Sequence, residues 1–289
     1  MLYDALLAPF VEFEFMRRAL VGAVALALGA GPIGVFLMLR RMSLTGDAMA
    51  HAILPGAAIG FLVSGLWLPA LTFGGFVAGV AVALLSGLVT RVTQLKEDAS
   101  LAAFYLVSLA LGVTIVSLKG SNVDLMHVLF GTVLALDDQA LLLIGAITTV
   151  TLGALALLYR PLVLECVDPV FLGSVSRAGP AVHLIFLVLV VANLVGGFQA
   201  LGTLLAVGLM MLPAAAARFW ATDVTGMIAV STGTGVASGA AGLLLSYHYE
   251  LPAGPAIILV AGGAYLASLV FGKEGGLWRL AFPGRHLEA

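Results

Sequence analysis

Apolar residues run through this chain in blocks of about twenty, separated by short clusters of charge, glycine and proline. A helix needs about that many residues to cross about 30 Å of hydrocarbon. Nine blocks predict nine transmembrane helices, at about 15–39, 47–66, 69–91, 99–118, 139–159, 180–199, 201–219, 224–246 and 255–272. The sixth and seventh meet at Gly196-Gly197-Phe198-Gln199; read as one, they leave eight spans. The short alternating segments of a β-barrel are absent from the pattern. The expected fold is all-α: a polytopic transmembrane bundle forming one domain over residues 1–289, with its core at 16–272.

Composition agrees with a bilayer as the surrounding solvent. The chain is 62% hydrophobic and 10% charged, against about 25% charged in a soluble domain. A net charge of −2 and the lack of a basic tract leave no basis for a nucleic-acid partner. Charge is expected only in loops. The single cysteine, Cys166, excludes an internal disulfide and reads as an inert small residue. Met1 to Glu14 is acidic, so no cleavable signal peptide is expected. Glycines recur at small-xxx-small spacing, as in Gly75/Gly79 and Gly235/Gly239, which lets helices approach closely in lipid.

The basic residues orient the bundle. With nine spans and the N-terminus outside, ten face the cytoplasm (Arg40, Arg41, Arg91, Lys96, Arg160, Arg177, Arg218, Lys273, Arg279 and Arg285), and three face out (Arg17, Arg18 and Lys119). That bias satisfies the positive-inside rule and puts the C-terminus in the cytoplasm. Two connections are long. Residues 119–138 are expected outside, with a short surface helix. Residues 160–180 are expected inside, where Asp168-Pro169 reads as an N-cap followed by proline at the first helical position and Gly173 limits the helix to a turn or two.

One departure from the apolar pattern carries chemistry. Gly46-Asp47-Ala48-Met49-Ala50-His51 sets a carboxylate and an imidazole four residues apart, on one helix face. An ionisable residue within a span costs about 2.5–3.5 kcal/mol on insertion scales, so it calls for a role. Three readings are open. Asp47 caps the second span and His51 packs; the two form a proton relay; or they ligate a divalent transition metal, for which Asp and His are common donors. One chain supplies two ligands, and a two-fold dimer would supply four. Pro55-Gly56, one turn on, would kink the helix. Other polar candidates are weaker: Asp124 with His127, and His248 with Glu250, are possible cation guides at an outer mouth, though solvated loop is the plainer reading. His183 and His286 carry no assigned role. Met210-Met211 and Met38/Met42 read as packing.

The phosphate loop Gly-x-x-x-x-Gly-Lys-Ser/Thr is absent, so this chain does not hydrolyse ATP by itself. His-Glu-x-x-His and Gly-x-Ser-x-Gly are absent too, which weakens protease and hydrolase readings. A membrane enzyme would need a third metal ligand and a base at the same depth.

Taken together, Arg40-Arg41-Met42-Ser43 before Gly46-Asp47-Ala48, His51-Ala52 before Pro55-Gly56, Val123-Asp124-Leu125-Met126, Gly202-Thr203-Leu204-Leu205, Leu212-Pro213-Ala214 and Leu251-Pro252-Ala253-Gly254-Pro255 resemble the permease family of zinc/manganese/iron ABC importers. The wording Arg-Arg-Met-Ser-Leu-x-Gly-Asp and Tyr-Glu-Leu-Pro-Ala-Gly-Pro is closer to the zinc branch. The resemblance implies a non-enzymatic, homodimeric channel subunit in a bacterial cytoplasmic membrane. It would pair with two cytoplasmic ATPase subunits and be fed by a periplasmic or surface metal-binding protein. Asp47 and His51 would lie on the path of a transported Zn2+, or Mn2+ or Fe2+, with no resident cofactor. The 160–180 loop, with Asp168, Pro169, Phe171 and Gly173, would couple to the ATPase. The alternative is a proton- or ion-coupled secondary transporter using Asp47 and His51 as a relay; it would need no ATPase, and no inverted repeat supports it.

Overall fold

A computed structural model describes residues 7–65, 67–118, 136–168 and 179–281. Every described regular element is helical. In chain order they are α1 (Ala8–Glu12), α2 (Glu14–Leu39), α3 (Ser43–Ala52), α4 (Leu54–Ser64), α5 (Leu68–Val92), α6 (Glu97–Leu118), α7 (Asp138–Val167), α8 (Gly179–Leu201), α9 (Thr203–Ala217), α10 (Val224–Tyr249), α11 (Ala253–Phe271) and α12 (Leu277–Ala281). Seven helices are long and apolar enough to span a bilayer, with α3 and α4 counted together. Two shorter apolar helices, Ala99–Ile115 and Thr203–Ala217, fall where the fourth and seventh spans were expected.

Helix α2 is the hub. It packs against α7, α8, α9 and α10, and most of its residues are buried. Helices α3 to α6 form a second group, joined to the first mainly through α8 and, at α3, also through α9 and α2. Small residues set the close approaches. A Cβ at Gly235 would stand 3.1 Å from Ala27 Cβ, and one at Gly239 3.2 Å from Ala23 Cβ. The glycine spacing on α10 therefore fits an alanine stripe on α2. Buried polar side chains find hydrogen-bond partners across helices. Thr148 donates to the Ala25 carbonyl at 2.9 Å, and Asn193 donates to Thr151 at 2.7 Å.

Three sequence expectations shift. The sixth and seventh spans do separate, but at Gly202, whose φ of 90° is rare for an L-residue. Gly196 and Gly197 stay helical because they are contact points: their Cβ atoms would meet Ile147 at 2.7 Å and Ala206 at 2.6 Å. The fifth span, expected to end at 159, continues through Pro161 to Val167. Residues 160–167 are thus helix rather than loop, and Asp168 is the C-cap of α7, its N–H reaching the Leu164 carbonyl at 2.9 Å. Pro169, Phe171 and Gly173 lie outside the described residues, as do Asp124 and His127. The second span begins at Ser43, four residues earlier than expected.

Candidate functional site

The earlier start of α3 decides the first question about Asp47. Met42 is the N-cap, and the first turn of α3 holds no acidic residue. Asp47 is inside the helix, so the capping reading fails. One turn on, His51 faces it: Nε2 lies 3.8 Å from Asp47 Oδ1. That gap exceeds hydrogen-bond reach, and proton transfer directly between the two has no bond to follow. It is near the separation of about 3.4 Å between two donors on a tetrahedral ion with ligand distances of about 2.0–2.1 Å. The Asp47 side chain is 64% exposed and that of His51 32% exposed. The pair therefore looks out from the bundle rather than into its core.

The surroundings hold the imidazole and leave its nitrogens uncommitted. The Tyr105 ring, from α6, stacks on His51 at 6.2 Å and 29°. His51 Nδ1 is buried and has no hydrogen-bond partner among the described residues. Buried polar atoms are rarely left so, and the nitrogen that faces Asp47 is the other one, Nε2. Leu44, Thr45, Asp47, Leu101, Ala102 and Tyr105 line a depression of about 150 Å³ beside the pair. No cluster of three or more His, Cys, Asp or Glu able to hold a metal occurs among the described residues.

Below His51 the span is interrupted. Pro55 has no N–H to give to the His51 carbonyl four residues back. Ile53 separates α3 from α4 while keeping helical dihedrals, φ −71° and ψ −28°. The hydroxyl of Ser108, from α6, donates to the Ala52 carbonyl at 3.0 Å. An interrupted helix at membrane depth needs such partners. The Ser108→Ala variant is expected to cost about 0.6 kcal/mol, the average for an interhelical side-chain hydrogen bond in a membrane. Thermal unfolding of the purified protein measures it; a cost above about 2 kcal/mol would mean that this hydroxyl alone holds the break.

His248 and Glu250 are elsewhere. They end α10, which packs on α2, α9 and α11, and Glu250 is an exposed left-handed C-cap at φ 54°. Tyr247 beside them meets Phe13, at the opposite end of α2 from Arg40. The structure does not bring them to Asp47 and His51. Met210 is fully buried core, as the packing reading expects.

Sequence reasoning missed Tyr105 and Ser108. Both lie in an apolar run whose hydropathy gives no hint of which face meets α3. The expectation that charge is confined to loops also fails. Arg40 and Glu165 form a buried ion pair, with side chains 7% and 13% exposed.

Seven helices long and apolar enough to cross a bilayer, one of them interrupted just after an acid–imidazole pair, describe a multi-pass membrane protein. The chain belongs to the ABC 3 transport family, whose profile matches residues 12–272. It is 32% identical over 259 residues to the manganese import system permease protein ScaB of Streptococcus parasanguinis, covering 89% of this chain and 90% of that one. It is 31% identical over 272 residues to the manganese transport system membrane protein MntC of Listeria monocytogenes, covering 94% and 95%. Among solved structures it resembles PsaBC from Streptococcus pneumoniae in complex with Fab, at TM-score 0.85 and 28% identity, over 97% of this chain and 100% of that one.

Proposed function

We propose that this chain is the membrane subunit of an ATP-driven importer of a divalent transition metal. Asp47 and His51 are the transient ligands of the ion in transit. The observation that carries this is the 3.8 Å gap between two donors that are not bonded to each other, on an exposed face of an interrupted span. A second copy placing the same face across a two-fold axis would complete a four-ligand site. The exposed Leu44, one turn before Asp47 on the same helix, adds an apolar side chain to that face. The relatives named for manganese favour manganese over the zinc suggested by motif wording. A carboxylate–imidazole set without thiolate suits either metal, and binds reversibly enough for release.

On this reading the chain spans a bacterial cytoplasmic membrane nine times, N-terminus outside, as one permease domain. Two ATPase subunits dock at the cytoplasmic connection after α7, and a surface or periplasmic protein delivers the ion. ATP-driven closure alternates access to the Asp47–His51 face. A directly bonded proton relay gains no support from the 3.8 Å separation. The test is uptake of radiolabelled manganese by proteoliposomes holding the chain with its ATPase and binding protein. ATP-dependent manganese uptake inhibited by excess zinc is expected; absence of any divalent uptake would overturn the reading.

A further inference from the structure

Of the two arginines that precede the Asp47–His51 helix, Arg41 is exposed and Arg40 is turned inward. Arg40 closes α2, and its guanidinium pairs with Glu165 Oε1 on the last turn of α7. His183 Nδ1, on the first turns of α8, lies 3.7 Å from that same oxygen. The Phe186 ring, also on α8, sits 5.0 Å from the Arg40 guanidinium carbon. Three helix ends therefore converge on one buried charge. Two of them, α7 and α8, flank residues 169–178. The third leads through Arg41, which adopts a left-handed φ of 60°, directly into α3. A non-glycine residue in that region is sparsely populated and held by its surroundings.

The pair is poorly built as a static staple. Arg40 Nη1 and Glu165 Oε2 are buried with no hydrogen-bond partner among the described residues. A buried ion pair offsets its desolvation only when its remaining polar atoms are bonded; replacing one by well-packed apolar residues is often neutral or stabilising. A pair with unbonded polar atoms on both sides holds its helices less tightly than a fully bonded one, which suits a contact that is made in one state and broken in another.

We propose that Arg40, Glu165 and His183 form a latch that transmits movement of the α7 and α8 ends to the α2–α3 elbow, and so to Asp47 and His51. The latch rests on the importer reading. Its members are positioning residues that touch no ion.

The test uses the full complex, permease with its ATPase and binding protein, in proteoliposomes. The apolar pair R40M/E165L is compared with wild type in assembly, manganese binding, ATP hydrolysis and manganese imported per ATP. The latch predicts normal assembly and binding, with import per ATP reduced at least tenfold, and the charge-swapped pair R40E/E165R regaining import per ATP. Wild-type import per ATP in R40M/E165L would overturn it, as would failure of that pair to assemble, which would make the contact structural. Asp47→Ala separates the two claims, because it removes binding itself. A wild-type complex that binds no divalent metal would sink the importer reading and the latch together.

Discussion

Asp47→Ala and His51→Ala are each expected to reduce ATP-dependent manganese uptake by at least about 100-fold, while the protein assembles normally. That factor is the upper end of the loss caused by residues that merely support a metal ligand, so a ligand itself should reach it. The substitutions should be gentle on the fold. Asp47 is exposed on its chain and makes no hydrogen bond to His51. The His51 ring stacks on Tyr105 and its side chain is 32% exposed. Removing an ionisable side chain from a span should, if anything, relieve an insertion cost. Initial rates of radiolabelled manganese uptake, normalised to assembled complex, measure the effect. Wild-type rates in either variant would remove that residue from the ion path.

The second large effect is on stability. Gly56 and Gly74 bring α4 and α5 into backbone contact. A Cβ on Gly56 would fall 1.9 Å from the Gly74 carbonyl oxygen, and one on Gly74 2.2 Å from that of Gly56. Neither obstacle is a flexible side chain, so Gly56→Ala must push two helices apart. Overpacking of a rigid core costs about 1–3 kcal/mol, and this site belongs at the top of that range. Gly153→Ala is the control: nothing lies within 4 Å of its added Cβ, and a change within about 0.5 kcal/mol is expected. Thermal unfolding of the purified proteins compares them. Equal stability of the two variants would show that α4 and α5 are not held at this distance.

Hydropathy located the apolar slab well and the helix ends less well. The first span was expected at 15–39 and runs Glu14–Leu39; the eighth was expected at 224–246 and runs Val224–Tyr249. The fifth misled because α7 has 30 residues, about 45 Å of helix at 1.5 Å per residue. It outruns a hydrocarbon core of about 30 Å. Arg160-Pro161 marks where the apolar slab ends, and the helix continues past it. The Asp47–His51 pair was legible because spacing by four on a helix needs no tertiary knowledge. Tyr105, Ser108 and the Arg40–Glu165 pair were not, because each acts through a partner more than fifty residues away. Glu165 in particular reads in sequence as a loop charge. Only the extension of α7 turns it inward to meet Arg40.

The most direct test is pulsed electron paramagnetic resonance of Mn2+ bound to the purified full complex. Coupling of the ion to imidazole nitrogen is expected in the wild type and should vanish in His51→Ala. Nitrogen coupling that persists unchanged in His51→Ala would place the ion elsewhere and contradict the account.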